Sequence, residues 1–238
     1  RKAIAQVQGI LRAQFSLADE RDVTGLPSKL KNPVKYRFRH LLFVAETELR
    51  GDVRGFALVS HEPELHYCYL DYLATTRKLV GSGVGGALYE RLCEECRDLG
   101  ALGLFFECLP DDPAACSSIE LAKQNMARLR FYERFGARPI VGANYEAPIK
   151  PDDKDMPHLV LHDFSDGQVL REERIRPIVR TILERKYAEL CSPEYVKLVV
   201  ESFREGSVRL RDYKYTRPAH RPQPVEPVAP HDDPPPPP

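Results

Sequence analysis

The chain has 238 residues, of which 42% are hydrophobic, and this is enough for one sizeable core with or without an appendage. Lysine plus arginine and aspartate plus glutamate number 35 each, so the zero net charge gives no reason to expect nucleic acid as a partner. No apolar stretch is long enough to span a bilayer, so no membrane partner is expected either.

The N-terminal half predicts two helices and then three strands. Apolar residues at helical spacing from Ile4 to Phe15 predict an amphipathic helix, and a second short helix is predicted over residues 19–30. Short turns between the strands that follow indicate an antiparallel meander. These strands are predicted over residues 39–47, 52–60 and 66–75.

The rest of the chain alternates helices and strands before it becomes rich in proline. A helix ending at Gly100 should connect the strand at 66–75 to an apolar strand at 102–109, and such a crossover makes the two strands parallel. Further helices are predicted over residues 118–135, 172–190 and 193–204, and closing strands over 138–141 and 158–164. Residues 217–238 are typical of a disordered or polyproline linker.

Six cysteines are spread along the chain, and Cys93 and Cys96 form a C-x-x-C pair. Both lie within a predicted helix, and no second close pair completes a set of zinc ligands. We therefore expect buried thiols, no bound metal, and a reducing, cytoplasmic environment.

A glycine cluster follows the strand at 66–75 and opens the next helix. Glycine allows a sharp turn and close approach of a ligand to the backbone, and a helix N-terminus attracts anions, so the cluster predicts a phosphate or diphosphate site. A P-loop is excluded because Ala87 stands where lysine is required. A dinucleotide fingerprint is present at Gly81, Gly83 and Gly86, with Glu107 placed as a ribose-binding acid. Residues 75–80 separate it from the strand, which disfavours that interpretation.

Two segments resemble the GNAT family of acetyltransferases. Residues 80–85 resemble the coenzyme A loop of the family, although Val80 stands where glutamine or arginine is usual. Residues 125–136 are similar to the family segment N-x5-FYE-x-x-G, although Ala137 replaces the aromatic residue that usually follows. Together these segments place the resemblance over roughly residues 38–145.

The resemblance implies a fold and an activity. The fold would be α/β (α+β), with a mixed, mainly antiparallel sheet, helices on both faces, a splayed central strand pair and a C-terminal helical appendage. The activity would be transfer of an acetyl group from acetyl-CoA to a primary amine by direct attack, the acceptor being a polyamine, a lysine side chain or a small amine. The cosubstrate site would include backbone or side-chain groups of Leu73, Ala74, Thr75, Val80, Gly81, Ser82, Gly83, Val84, Gly85, Gly86, Asn125 and Tyr132.

The resemblance also suggests catalytic residues. Tyr132 matches the family tyrosine that protonates the leaving thiolate, and Asn125 could bind the pantetheine arm or cap a turn. Spacing places Ala127, Phe131 and Phe135 on a neighbouring stripe that should face the core, so Tyr132 should lie off that stripe and turn toward the cosubstrate. It could instead be a packing tyrosine whose hydroxyl stays in contact with solvent. Candidates for the general base are acidic residues of the predicted strands.

Asp71 is the first candidate for the general base. It lies two residues before Leu73, so regular strand geometry puts both side chains on one face. It could instead pair with a basic residue such as Lys78. Glu107 is a weaker candidate and could be structural.

The chain is expected to divide into an acetyltransferase domain at 1–165, a helical extension at 166–216 and a proline-rich linker at 217–238. A partner domain beyond the linker is expected, and residues 156–210 resemble sequence found in bacterial acetyltransferase–deacetylase-like fusions. The alternative function is a non-catalytic acyl-CoA-binding module that regulates such a partner.

Overall fold

The computed structural model describes residues 2–15, 20–48, 50–76, 83–150 and 153–216. Within these ranges the helices are α1 (Lys2–Gln14), α2 (Glu20–Lys31), α3 (Pro33–Tyr36), α4 (Val84–Asp98), α5 (Ile119–Glu133), α6 (Glu172–Lys186) and α7 (Pro193–Ser202). The strands are β1 (Arg39–Glu46), β2 (Val53–Glu62), β3 (Tyr67–Thr75), β4 (Gly103–Cys108), β5 (Arg138–Val141), β6 (His158–Asp163) and β7 (Arg209–Leu210). The short α3 and β7 were not predicted, and α6 ends at Lys186 rather than at residue 190.

The strands of the described residues form one sheet in the order β1-β2-β3-β4-β6-β5-β7. Strands β1, β2 and β3 form the predicted antiparallel meander, and β3 runs parallel to β4 as the α4 crossover requires. The remaining pairs are antiparallel. The predicted mixed, mainly antiparallel sheet with helices on both faces is therefore confirmed.

The centre of the sheet opens into a fork between β3 and β4. These strands pair only at Cys68–Leu104 and Tyr69–Phe105, and each continues beyond those pairs without the other. In the β2–β3 ladder Val59 pairs with Leu70 and Leu58 pairs with Tyr72, which leaves Asp71 as an extra residue in β3. Such a bulge bends its strand and increases its twist, so β3 turns away from β4 where Asp71 is inserted. The splayed central pair is confirmed.

Helices cover both faces of this forked sheet. Helices α4 and α5 pack on one face, around Leu70, Leu104 and Phe106. On the opposite face α1 and α2 pack over β1–β3, while α6 and α7 pack over β4, β5 and β6 around Tyr69 and Phe105. We call these the α4/α5 face and the α1/α6 face.

The C-terminal segment is held by two buried carboxylates. Glu133 on α5 accepts hydrogen bonds from the backbone N–H groups of residues 214–216, at 2.7–3.1 Å. Asp111 accepts hydrogen bonds from the side chains of Arg211, Lys214 and Tyr215. Strand β7 adds to the edge of the sheet beside β5. Residues 209–216 therefore belong to the folded body, whereas the proline-rich residues 217–238 lie outside the described ranges.

Candidate active site

A cavity of about 450 Å³ occupies the fork. Because the strands have separated there, residues of both faces line it, such as Tyr72 on the α1/α6 face and Tyr132 on the α4/α5 face. Its walls come from α1, β3, β4 and α5 and from the start of α4. The lining residues are Gln14, Phe15, Leu70, Asp71, Tyr72, Leu73, Ala74, Thr75, Gly85, Phe106, Glu107, Arg128, Phe131 and Tyr132.

Strand β3 directs backbone donors into this cavity. The N–H of Thr76 donates to the Arg54 carbonyl of β2 at 2.8 Å. Since hydrogen-bonded and non-bonded positions alternate in an antiparallel ladder, Ala74 also faces β2, while Leu73 and Thr75 direct their backbone groups toward the fork. The side-chain amide of Gln14 donates to the Thr75 carbonyl at 3.2 Å, as that orientation requires. Of the three predicted backbone residues, two thus present donors to the cavity.

Helix α4 begins at the mouth of the cavity, and no side chain of the described residues caps its first turn. Gly83 occupies the N-cap position with φ +86°, so no side chain caps the helix, and the first turn contains no acidic residue. The first helical bond runs from the Ala87 N–H to the Gly83 carbonyl at 3.0 Å, which leaves the N–H groups of Val84, Gly85 and Gly86 ahead of it. Such a terminus stabilises an anion.

The predicted glycine loop is only partly covered by the described residues. Val80, Gly81 and Ser82 lie outside the described residues, as does Lys78. Gly85 is described and lines the cavity. A Cβ at Gly85 would lie 3.7 Å from the Thr75 side chain, so the start of α4 passes close to β3.

Tyr132 lies between α5 and the α4/α5 face of the sheet. Its ring packs 4.3 Å from Phe106 and 5.2 Å from Tyr89, measured between centroids, and its side chain lines the cavity. Among the described residues no group forms a hydrogen bond with its hydroxyl. Burial raises the pKa of Tyr132, so the phenol stays protonated at neutral pH.

The predicted packing of α5 was wrong in one respect. Tyr132 lies on the buried stripe, together with Leu129 and Asn125, whereas Ala127 is exposed and Phe131 is half-buried. The apolar residues at the helix edge face α4 instead, since Phe131 packs 6.0 Å from Tyr89. Tyr132 nevertheless borders open space, because the cavity in the fork extends to this part of the core.

Asn125 is placed away from the cavity. Its side chain is 1% exposed, and its amide donates to the Pro110 carbonyl at 2.8 Å. That bond fixes the loop between β4 and α5. Of the two roles considered for Asn125, this geometry favours the structural one.

Glu107 lies on the α1/α6 face of β4 and is bound by two tyrosines. Tyr145 donates to Glu107 Oε1 at 2.5 Å, and Tyr187, just after α6, donates to Oε2 at 2.6 Å. Burial raises the pKa of Glu107, and the two tyrosine hydrogen bonds and the charge of Lys186 only partly oppose it. A carboxylate with a raised pKa at a cavity wall is a candidate proton acceptor.

Asp71 already has partners on the same face. Ser60 Oγ donates to one carboxylate oxygen at 2.6 Å, and the Lys186 ammonium forms an ion pair with the other. The predicted basic partner was Lys78, and the structure provides Lys186 from α6. The bulge also overturns the expected shared face: Leu73 packs on the α4/α5 face, whereas Asp71 lies on the opposite one.

The cysteines do not form a metal site within the described residues. Cys93 and Cys96 are free thiols buried in the core under α4. No group of three or more histidine, cysteine or acidic side chains placed to hold a metal occurs in the described part of the chain.

Sequence reasoning missed Lys186, Tyr187 and Tyr145 as parts of the site. Lys186 and Tyr187 follow Asp71 and Glu107 by 115 and 80 residues, respectively. No spacing rule links positions so far apart. The one available signal was that the predicted α6 helix carries basic and aromatic residues at its C-terminal end.

A forked sheet beside a helix N-terminus without a side-chain cap can hold an extended, anionic ligand within the sheet. The family model described as "Acetyltransferase (GNAT) family" matches residues 7–137, more than half of the chain. The chain therefore belongs to the GNAT family of acetyltransferases. The matched segment ends before α6, so Lys186 and Tyr187 lie outside it.

Several solved structures are similar to this chain. An aminoglycoside 6'-N-acetyltransferase in complex with coenzyme A is 15% identical, with 66% of this chain and 88% of that chain covered and a TM-score of 0.49. The ribosomal-protein-S18-alanine N-acetyltransferase of Escherichia coli is 18% identical, with 68% and 88% covered and a TM-score of 0.48. The Escherichia coli GNAT protein YhbS, in complex with CoA, is 17% identical, with 70% and 79% covered and a TM-score of 0.45.

Two further findings concern curated sequences and the length of the helices. A comparison with curated protein sequences finds no match. Across the described ranges, none of the helices combines the length and apolar character needed to cross a bilayer.

Proposed function

We propose that the protein transfers the acetyl group of acetyl-CoA to a primary amine by direct attack of the amine on the thioester. The observation that carries this proposal is the fork beyond Tyr69 and Phe105, where β3 and β4 leave room for a thioester arm between them. Membership of the GNAT family supports the choice of acetyl-CoA.

The cosubstrate would approach from the α4/α5 face. Its diphosphate would bind the N–H groups of Val84, Gly85 and Gly86, because Gly83 supplies no side-chain cap and the first turn contains no acidic residue. We extend this site to Gly83 and to Val80, Gly81 and Ser82, as the sequence predicts. The outward N–H groups of Leu73 and Thr75 would bind the pantetheine arm and the acetyl oxygen, as β4 no longer pairs with β3 there.

The acceptor would approach from the α1/α6 face, where the carboxylates lie. Its ammonium must lose one proton before attack and a second as the N–C bond forms. We propose that Glu107 accepts a proton, because burial raises its pKa and two tyrosines hold it at the cavity wall. Asp71 remains the alternative base, but both of its oxygens already have partners.

Collapse of the tetrahedral intermediate breaks the C–S bond and releases the thiolate of CoA. Tyr132 lies on the cosubstrate side of the fork with a protonated hydroxyl that has no partner among the described residues. We propose that it donates its proton to the sulfur and is then reprotonated from solvent. The balance is one N–C bond formed, one C–S bond broken, and one proton released to the medium.

We also propose that the predicted division of the chain holds: a catalytic unit at 1–165, a helical extension at 166–216 and a linker at 217–238. The extension would act as the wall of the acceptor side. Its support is that Lys186 and Tyr187 contact Asp71 and Glu107, respectively.

The experiment is release of free CoA thiol from acetyl-CoA in the presence of polyamines, lysine peptides and small amines. Thiol release that depends on the amine supports the enzyme, whereas acetyl-CoA binding without release supports the non-catalytic module. Tyr132→Phe should lower kcat by about 100-fold if the phenol protonates the thiolate. Tyr89→Phe is the matched control, because its ring lies beside Tyr132 while its hydroxyl contacts His162 at 3.2 Å. Equal rates for the Tyr132 variant and the wild type would remove that role.

A further inference from the structure

Two carboxylates lie just beyond the point where the strands separate, one on each strand and both on the acceptor side. The last rung of the β3–β4 ladder joins Tyr69 and Phe105. Asp71 and Glu107 each lie two residues beyond that rung, and both contact groups of the α1/α6 face. Two carboxylates at this position would suit an acceptor with two ammonium groups.

A lysine of the chain itself already occupies this place. The Lys186 ammonium forms an ion pair with Asp71 and lies 4.4 Å from the centre of the Tyr69 ring. The two side chains of the pair are only 17% and 10% exposed, so the pair is largely withdrawn from solvent. Burial raises the pKa of Glu107 while the Lys186 charge opposes that rise, which places this ammonium within the influence of both acids.

The charge balance leaves one carboxylate for the acceptor. Asp71 is neutralised by Lys186, and its other oxygen accepts the hydrogen bond from Ser60. Among the described residues that line the cavity, the charged side chain besides Asp71 and Glu107 is Arg128, which lies on α5 at the cosubstrate side. A second ammonium beside Asp71 would therefore meet the Lys186 cation instead of a free acid.

The neighbouring wall of the cavity is apolar. Phe15 and Tyr72 form an edge-to-face pair with ring centroids 4.9 Å apart, and both line the cavity next to Asp71. An alkyl or aryl group can bury its surface against these rings, whereas a charged group would lose its hydration there.

We propose that the acceptor is a primary monoamine with an apolar body, and that Lys186 occupies the position a second ammonium would need. This inference rests on the proposed function, since it assumes that an amine is acetylated. It makes Lys186 and Asp71 the residues that select the acceptor by charge.

The test compares two acceptors that differ only in the second ammonium, 1-aminopentane and 1,5-diaminopentane. For the wild-type chain we expect kcat/KM to favour the monoamine by about tenfold or more. Lys186→Met frees Asp71 for a second ammonium, so the ratio should move toward the diamine by about tenfold or more. In the double variant Asp71→Asn/Lys186→Met the added acid is gone, and the ratio should return to the monoamine.

Lys197→Met on α7 is the matched control, because that lysine is 69% exposed and pairs only loosely, at 3.9 Å, with Glu201. It should leave the ratio of the two acceptors unchanged. Thermal melting of each variant shows whether the chain has folded. If Lys186→Met does not fold, Lys186→Gln takes its place, because it removes the charge but keeps a hydrogen-bond donor for Asp71.

The outcomes separate the two levels of the argument. If no amine releases CoA thiol, the proposed function fails. If amines are acetylated but the wild type prefers the diamine or a polyamine, or if a folded Lys186→Met leaves the ratio unchanged, the proposed function stands and the monoamine inference is overturned.

Discussion

Replacing Tyr187 by phenylalanine removes one of the two hydroxyls that hold Glu107 without removing the ring. The Tyr187 hydroxyl donates to Glu107 Oε2 at 2.6 Å and lies 3.3 Å from the Tyr69 hydroxyl. This hydrogen bond opposes the rise in the pKa of Glu107 that burial causes, so its loss should raise that pKa further. A general base works only when deprotonated, so the acid limb of the pH–rate profile should move to higher pH.

The expected loss of rate follows from the strength of the hydrogen bond between Tyr187 and the Glu107 carboxylate. A hydrogen bond to a charged group contributes about 1.5–3 kcal/mol, and the lower figure applies here because Glu107 borders a cavity that solvent can enter. Since 1.4 kcal/mol is a factor of ten, kcat/KM on the acid limb should fall about tenfold. At higher pH, where Glu107 is deprotonated in both proteins, the two rates should converge.

The assay is kcat/KM for amine acetylation as a function of pH, at saturating acetyl-CoA. Tyr195→Phe serves as the control: it lies on α7, and its hydroxyl donates to the Ala147 carbonyl at 2.8 Å, not to Glu107. Its acid limb should match that of the wild type. A Tyr187→Phe profile that falls equally at every pH, or does not move at all, would refute the assignment of Glu107 as the base.

Two further predictions concern the start of α4 and the C-terminal clamp. Gly83 has φ +86°, a backbone conformation that is unfavourable for a residue with a Cβ. Gly83→Ala should therefore destabilise the fold by about 1–2 kcal/mol and raise KM for acetyl-CoA. Gly100→Ala, at φ +75° beyond the other end of α4, should lower stability similarly but leave that KM unchanged; equal KM changes in the two variants would contradict an anion site at the helix start. Glu133→Gln should lower the free energy of unfolding at neutral pH by about 1.5–3 kcal/mol, because the carboxylate accepts hydrogen bonds from residues 214–216. Burial alone would raise the pKa of Glu133, but those bonds lower it below its usual 4.5. Wild-type stability should therefore fall as the pH drops from about 4.5 through the lowered pKa, and the variant should lose less stability over the same interval. Identical acid denaturation of the two proteins would contradict this.

Much of the architecture could be predicted because it depends on local patterns. Apolar runs separated by short turns identified the strands of the meander, and the parallel pairing of β3 with β4 followed from a helix placed between them. The glycines ahead of α4 indicated an anion site through backbone geometry alone. These features need only neighbouring residues to be recognised.

The chemistry of the acceptor side could not be predicted in this way. The bulge at Asp71 leaves no mark in the sequence, yet it moved Asp71 and Leu73 to opposite faces. Lys186 reaches Asp71 only because α6 packs beside the fork, and that packing depends on the whole sheet. Likewise the burial of Tyr132 was misjudged because periodicity shows which residues share a stripe but not which neighbour covers it.

The opening of the sheet depends on chain length more than on side-chain identity. β3 contains one residue more than β2 between the partners of Val59 and Leu58. This extra residue bends the strand and exchanges the faces on which successive side chains lie beyond Asp71. Substitutions that keep the backbone extended leave this extra residue in place, whereas deletion of one amino acid from β3 would remove it. Point mutations could therefore alter the side chains around the cleft extensively without closing it, whereas insertions and deletions in this strand should be far less acceptable than elsewhere.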